Sequence, residues 1–214
     1  MKRKTYGVGV NDCELTRKYS SKTINSKQVQ TLLWMCPYYI KWNAMLKRCY
    51  SSKYLSKNPK YIGCYVCEEW LLFSNFKNWC EDYCSTFGLN IKNVDVDKDI
   101  LCHNNKCYSS ETCCLVLNRV NKFLTYDKVN KGKYPIGVSL TSKGNIRSRC
   151  KNPFTLKEVS CGYHKTPDEA HEAWRQKKYQ YACELADSDY VQDERVADAL
   201  RKRFSYEIWY SLQP

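Results

Sequence analysis

The chain has 214 residues, a formal net charge of +13, 14 Cys and an aromatic content of 14%. This length allows one large domain or two to three small ones, and so many aromatics exclude a disordered chain. No run of 18 apolar residues occurs, so we expect no membrane-spanning segment. The start MKRKTYGVGVND lacks the apolar core of a secretory signal, so we expect reduced thiols or metal ligands rather than a disulfide framework.

The positive charge is unevenly distributed, and this distribution suggests four domains. Residues 1–93 carry a net charge of +9, residues 94–130 are neutral, residues 131–186 carry +6 and residues 187–214 carry −2. Two basic lobes therefore flank a neutral centre that contains several aspartates. Such an excess indicates a polyanionic partner, most often nucleic acid, although a merely solvated basic surface is the alternative.

The first domain is predicted to be a basic helical region. Residues 1–30 have no clear period and should be extended or loosely ordered, and the polar residues 51–61 should form a loop. A second helix fits Glu68 to about Tyr83, with Trp70, Phe73, Trp79 and Cys80 inward and Gly88 as its stop. A first helix is predicted from residues at helical spacing, namely Trp34, Tyr38, Trp42, Met45, Leu46 and Cys49.

Four cysteines in this region could form a zinc site. Cys64 and Cys67 form a CxxC motif, and Cys80 and Cys84 lie four residues apart on the second predicted helix. Four thiolates from a knuckle and a helix can bind zinc tetrahedrally. The alternative is that these residues are buried free thiols, which behave as small apolar side chains.

The central segment 94–124 combines acidic residues on a strand, a polar loop at His103–Lys106, a second strand and a helix from about Leu117. This pattern resembles the ββα-metal unit of HNH endonucleases, in the degenerate form found in phage-encoded HNH-like proteins. The resemblance covers most of residues 38–186 and includes KWNAMLKRCY (41–50) and YIGCYVCEEWLLFSNFKNW (61–79).

The resemblance implies a Mg²⁺ or Mn²⁺ site that hydrolyses phosphodiesters. Asp97 matches the carboxylate ligand on the strand and Asn121 the ligand on the helix, with Asn118 one turn earlier as the alternative. Lys98 stands where the family keeps its catalytic histidine, and a lysine that stays protonated is a poor general base. The alternative bases are Asp99 and His103, so both an active nuclease and an inactive scaffold remain open.

The third domain should contain three strands, at residues 136–141, 145–150 and 157–164, followed by a helix. Thr166 is the expected N-cap of this helix, Pro167 its first residue and Glu169 the second half of a capping box. Trp174 should pack on the sheet. The predicted apolar stripe of the helix consists of Ala170, Ala173, Trp174, Tyr181 and Leu185.

This arrangement resembles the DNA-binding domain of plant ethylene-response factors, in which the sheet lies in the major groove. The resemblance implies that Asn145, Arg147 and Arg149, which alternate along one strand, read bases, and that Lys143 and Lys151 contact phosphates. The matching residues are Gly137, Val138, Ser139, the segment Ile146 to Arg149, Gly162, Tyr163, Thr166, Glu169, Ala170 and Ala173.

The remaining residues 187–214 should form a terminal helix with Val196, Ala199, Leu200 and Phe204 inward. Its Arg201, Lys202 and Arg203 either touch DNA or face water. The predicted fold class is α+β: an N-terminal helical region, a central ββα unit, a three-stranded antiparallel sheet packed on one helix, and a terminal helix.

The leading functional hypothesis is a sequence-preferring binder of double-stranded DNA that resembles phage HNH endonucleases and could nick or cut DNA. The alternatives are an inactive DNA-binding regulator or host-takeover factor, and a zinc-stabilised module that binds a host protein. RNA remains open as a ligand, since charge does not distinguish the two polymers. The resemblance and the missing signal imply the cytoplasm of an infected bacterium, without a membrane partner.

Overall fold

The computed structural model describes residues 4–24, 27–124 and 133–206, and these residues form two compact units that meet between Leu115 and Val116. The predicted α+β class is confirmed. The boundary between the units falls inside the predicted central domain of residues 94–130.

The described residues contain six α-helices and nine strands. The helices are α1 (Pro37–Tyr50), α2 (Ser52–Leu55), α3 (Phe73–Thr86), α4 (Asn118–Leu124), α5 (Pro167–Ala186) and α6 (Glu194–Arg203). The strands are β1 (Arg17–Ile24), β2 (Lys27–Met35), β3 (Tyr65–Val66), β4 (Val94–Asp97), β5 (Cys107–Tyr108), β6 (Cys114–Leu117), β7 (Val138–Leu140), β8 (Ile146–Lys151) and β9 (Glu158–His164).

A regular hairpin occupies the region in which the sequence shows no period. Strands β1 and β2 pair antiparallel, with a register shift after Lys18. Trp34 pairs with Lys18 in this hairpin, so its assignment to the first helix is wrong. The helix begins instead at Pro37, because proline fixes a helical φ and needs no hydrogen-bond acceptor in the first turn.

The core of the first unit lies between α1 and α3. Trp42, Met45 and Leu46 of α1 are fully buried, as are Phe73 and Phe76 of α3. The indole Nε1 of Trp42 donates a 2.6 Å hydrogen bond to the carbonyl of Trp70, which satisfies the only polar atom of this buried side chain. The predicted aromatic core is therefore confirmed, although Trp79 is only half-buried.

The second predicted helix begins later than expected. Residues Glu69–Leu71 form a separate 3₁₀ turn, and Leu72 is extended. The break arises because Val10 bonds to both sides of it: Val10 N donates to the carbonyl of Leu71, and Phe73 N donates to that of Val10. The helix ends at Thr86, shortly before Gly88 as predicted. The predicted loop 51–61 contains α2 and a 3₁₀ turn at Pro59–Tyr61.

The central segment follows the predicted order of strands and helix. Strand β4 contains Asp95 and Asp97 and pairs with β6, the strand in which the first unit ends. The short β5 pairs with β3 in parallel. Helix α4 then begins at Asn118, one residue after the predicted start.

In the second unit, one antiparallel sheet of order β7-β8-β9 packs against α5. The capping box is confirmed: Glu169 N donates to Thr166 Oγ1 (3.2 Å), and Glu169 Oε2 accepts from the backbone N–H of Lys165 (3.0 Å). Trp174 packs on the sheet as predicted, where it lies directly against Gly137. Gly137 has a φ of +82°, so β7 begins only at Val138, later than expected.

The terminal helix α6 packs against α5 and confirms the predicted inward positions Val196, Leu200 and Phe204, whereas Ala199 is half-buried. Among the described residues, no helix combines the length and the apolar character needed to cross a bilayer.

Two cations on the inner side of α5 are buried rather than available to a ligand. Arg175 donates to both carboxylate oxygens of Glu172 (2.6 and 2.8 Å) and to the carbonyl of Phe204. Lys178 Nζ donates to the carbonyl of Phe123 (2.6 Å) and lies 3.6 Å from the centre of that ring. Burial lowers the pKa of Lys178 from 10.5 to about 8, because the charged form loses its hydration.

We expect Gly137→Ala to destabilise the second unit by about 2–4 kcal/mol. An added Cβ would lie 2.2 Å from the Trp174 ring, and the positive φ adds backbone strain. Gly144→Ala is the matched control, because Gly144 has φ +80° but open space around its Cβ, so only backbone strain of about 1 kcal/mol applies. Urea denaturation measures both, and equal losses would contradict the packing argument.

We also expect the stability of the second unit to rise with pH between about 8 and 10.5 relative to a Lys178→Met variant. In this range the unfolded lysine holds a proton that the folded one has lost, so folding becomes more favourable as pH rises, by up to about 3 kcal/mol. The comparison with the variant cancels the opposing titration of the buried Cys150 thiol in the same unit, whose pKa burial raises to about 12. If the free energies of unfolding of the two proteins changed with pH in parallel, the pKa of Lys178 would not be lowered in the folded state.

Candidate nucleic-acid interface

Strand β8 divides its side chains between the helix and the solvent. Ser148 and Cys150 are buried against the side covered by α5. Arg149 and Lys151 are exposed, and Arg147 is half-buried on the same alternation. Because successive side chains of a strand point to opposite faces, Arg147, Arg149 and Lys151 share the outer face of the sheet. This confirms the predicted common face of the two arginines.

Arg147 lies at the centre of the outer face. It pairs with Ser139 on β7 and with Tyr163 on β9, and its Nε donates to Ser139 Oγ at 3.3 Å. This contact holds the guanidinium along the sheet. Tyr163 is 67% exposed, so an aromatic ring stands beside the arginine in solvent.

Arg149 has one acidic neighbour on the outer face. Its Nε lies 3.4 Å from Glu158 Oε2, and both side chains are about half exposed (42% and 54%). An ion pair at such exposure contributes only about 0–1 kcal/mol. A phosphate or a guanine edge can therefore replace Glu158 as the partner of Arg149 at little cost.

Lysines surround the arginines at the ends of the strands. Residues 133–165 contain seven Lys and Arg but a single acidic residue, Glu158. Asn145 is exposed in the turn before β8, and its N–H donates to Thr141 Oγ1 (3.1 Å), so it belongs to the turn rather than to the strand. The exposed lysines are Lys143 in this turn, Lys151 at the end of β8, Lys157 before β9 and Lys165 after it.

The predicted metal-binding residue Asp97 closes a turn at the end of β4. Its Oδ1 accepts from the backbone N–H groups of Asp99 (2.7 Å) and Ile100 (2.8 Å). Burial raises the pKa of this carboxyl, and the two N–H donors oppose that rise by stabilising the anion. The carboxylate is thus positioned by its own turn.

Lys98 is not placed to act as a base. The side chain is 6% exposed, and its Nζ donates to Asp99 Oδ1 at 2.6 Å and to the carbonyl of Asn105. The amide of Asn105 in turn donates to the carbonyl of Lys98 (3.0 Å). An ammonium that donates to two acceptors has no lone pair for a proton, so Lys98 closes the loop between β4 and β5.

The structure also places the other two candidate bases, Asp99 and His103. Asp99 is the acceptor of the Lys98 ammonium, and His103 lies exposed in the loop. Asp95 forms a 3.5 Å ion pair with Lys41 of α1. The catalytic role of Asp97, Lys98, Asp99 and His103 stays a prediction.

The predicted helix ligands lie in the second unit, whereas Asp97 lies in the first. The Oδ1 atom of Asn118 is buried and accepts no hydrogen bond from any described residue. Such an oxygen fits a divalent cation, which binds side-chain amides and carboxylates. Asn121 is half-buried. The Oδ1 of Asn118 and the carboxylate of Asp97 are each, by their chemistry, ligands of the kind that Mg²⁺ or Mn²⁺ accepts, and such an ion would supply Lewis-acid chemistry if bound.

The four cysteines of the possible zinc site do not form a group in the structure. Throughout residues 4–24, 27–124 and 133–206, no three His, Cys, Asp or Glu side chains are grouped so that they could hold a metal ion. Cys64, Cys80 and Cys84 are buried, and burial raises the pKa of Cys67 to about 11. Thiols that resist ionisation behave as apolar core residues. Structural zinc stays a prediction.

Arg201, near the C-terminal end of α6, forms ion pairs with three carboxylates. Arg201 pairs with Asp187 and Glu194 at 2.7 Å each and with Asp198 at 3.3 Å. The Arg201 side chain is 36% exposed, so the choice between a DNA contact and a charge that faces water stays a prediction.

Comparison with known proteins adds no family: no family model, no curated protein and no solved structure matches the chain. The resemblances to HNH endonucleases and to ethylene-response factors therefore stay predictions.

Two features are added by the structure. Tyr163 is among the residues that match the ethylene-response-factor domain, but its exposure beside Arg147 was not predicted. The exposed β1–β2 hairpin carries neither a hydrophobic alternation nor a recognisable turn at its tip, so no local signal predicts it.

Proposed function

We propose that the protein binds double-stranded DNA with the outer face of the β7-β8-β9 sheet. The observation that carries the proposal is the placement of Arg147 and Arg149 on the face of the sheet opposite to α5, with Tyr163 beside Arg147 on β9 and lysines around the edge. The helix covers the opposite face, so the sheet has one side available to a ligand.

The chemistry of this face fits duplex recognition. A guanidinium can donate two parallel hydrogen bonds to guanine O6 and N7, and the exposed ring of Tyr163 can contact a thymine methyl group. The surrounding lysines suit phosphates, which set the position of the protein without reading sequence. Neither a neutral ligand nor a cation would account for seven basic residues with one acid.

We expect Arg147→Ala and Arg149→Ala each to weaken binding to a preferred duplex by about 10- to 100-fold, because a bidentate contact contributes about 1–3 kcal/mol. Arg149→Lys should keep most of the affinity for random duplex but lose preference for the selected sequence, since lysine lacks the planar fork. Selection from a random duplex library followed by fluorescence anisotropy measures both effects.

The matched control is Lys92→Ala/Lys202→Ala, which removes two exposed charges outside the sheet. If this control weakened binding as much as the arginine variants, the outer face would not be the binding site. Tighter binding to an RNA duplex of the same sequence would replace DNA by RNA as the ligand.

Phosphodiester hydrolysis is the second candidate function, and the unpaired Oδ1 of Asn118 favours it. The Asn118 amide oxygen would be a ligand of a bound Mg²⁺, and the ion would polarise the phosphate. The position of Lys98 opposes this function, because the residue that follows Asp97 donates protons to the loop instead of accepting one from water.

We therefore expect Asp97→Asn and the wild type to bind duplex DNA equally and neither to cut it with Mg²⁺ or Mn²⁺. Asparagine keeps an oxygen that can accept from the N–H groups of Asp99 and Ile100, so the turn should persist. A supercoiled-plasmid nicking assay measures cleavage. Wild-type nicking that disappears in Asp97→Asn would establish hydrolysis as an activity.

A further inference from the structure

The β1–β2 hairpin exposes its side chains on both faces. The side chains of residues 21–23 and 28–34 are all exposed, although they alternate between the two faces of the strands. A two-stranded hairpin without a covered face is marginally stable in water. Its conformation suggests a partner that contacts both faces, as the walls of a nucleic-acid groove do.

The hairpin changes character along its length. Near its base, the apolar residues Tyr19, Leu32, Leu33 and Trp34 are 40–66% exposed. Farther out, seven of the eight residues in four successive pairs can form hydrogen bonds or are cationic, and Val29 is the exception. These outer pairs are Ser20 with Thr31, Ser21 with Gln30, Lys22 with Val29 and Thr23 with Gln28.

The charge along the hairpin has one sign. Residues 17–35 contain four Lys and Arg and no Asp or Glu. Lys18 and Lys22 lie on the same face of β1, and both are exposed. Arg17 anchors the base, because its guanidinium donates to the hydroxyl of Tyr39 on α1 at 2.9 Å. A surface of this composition is complementary to a polyanion rather than to another basic protein.

The dimensions of the hairpin fit a DNA groove. Strand β1 has eight residues, which at about 3.3 Å per residue gives a length of about 26 Å. The major groove, about 12 Å wide, admits a two-stranded ribbon. Gln28 and Gln30 lie on the same face of β2, and glutamine can donate and accept together at the edge of adenine.

We propose that the β1–β2 hairpin is a second duplex-binding element, which lies in a groove with Gln28 and Gln30 toward the bases and with Lys18 and Lys22 toward phosphates. This inference rests on the proposed function, since it assigns a further contact to the same ligand.

The test uses the full chain with duplexes of about 20 and 40 base pairs that carry the selected sequence. Lys18→Ala/Lys22→Ala should lower the slope of log affinity against log salt by about two and weaken binding to the long duplex about tenfold or more. Gln28→Ala/Gln30→Ala should leave the slope unchanged but reduce sequence preference at bases outside the sheet's footprint. Lys92→Ala/Lys202→Ala is the charge-matched control.

A photo-crosslinking residue in place of Ser21 locates the hairpin directly, and a crosslink to the duplex is the expected result. If the wild type binds duplex and the arginine variants lose binding, while the hairpin variants bind normally and do not crosslink, only the hairpin proposal fails. If the wild type binds no duplex, the proposed function fails with it. Sedimentation that shows a dimer lost in Leu32→Ser/Leu33→Ser, with duplex affinity unchanged, would identify a second copy as the partner instead.

Discussion

The approach of Trp174 to Gly137 decides which side of the three-stranded sheet is covered. The ring lies so close to the backbone that a single added methyl group would overlap it, and this contact holds α5 flat against the inner side. His171 stacks on Trp174 and bonds to the carbonyl of Ile136, which fixes the same edge. Because α5 covers the inner side, the arginine side chains of β8 lie on the outer side, where they contact solvent or a ligand.

Charge in the second unit follows the same division. Arg175 and Lys178 count toward the net charge of the chain but lie buried against Phe204 and Phe123, where they satisfy carbonyls at the ends of neighbouring elements. Arg201 is neutralised by three carboxylates. The exposed cations of the sheet and its turns stay available to a polyanion, so the basic surface of the second unit is smaller than its sum of charges suggests.

Asp97 and Lys98 both have structural roles in the acidic turn after β4. Asp97 accepts two N–H bonds of its own turn, which is a sufficient structural reason for an aspartate at that position. Lys98 bridges Asp99 and Asn105, so it performs a positioning role in the loop. Binding without hydrolysis requires nothing further of either residue, and this is why the sheet rather than the turn carries the proposed function.

Local rules alone determined several features of this protein. The N-cap Thr166, Pro167 and Glu169 define the start of α5, and the alternation of β8 places Arg147 and Arg149 on one face, because both depend on neighbours within a few residues. The α+β class and the order of strands and helix in the centre follow from the same signals. Tertiary structure alone decided the rest: Val10 interrupts the second predicted helix, pairing with β1 places Trp34 in a strand, and Phe123 and Phe204 flank Lys178. These outcomes depend on contacts between residues far apart in the chain. The free energies of such contacts cannot be inferred from a local sequence pattern.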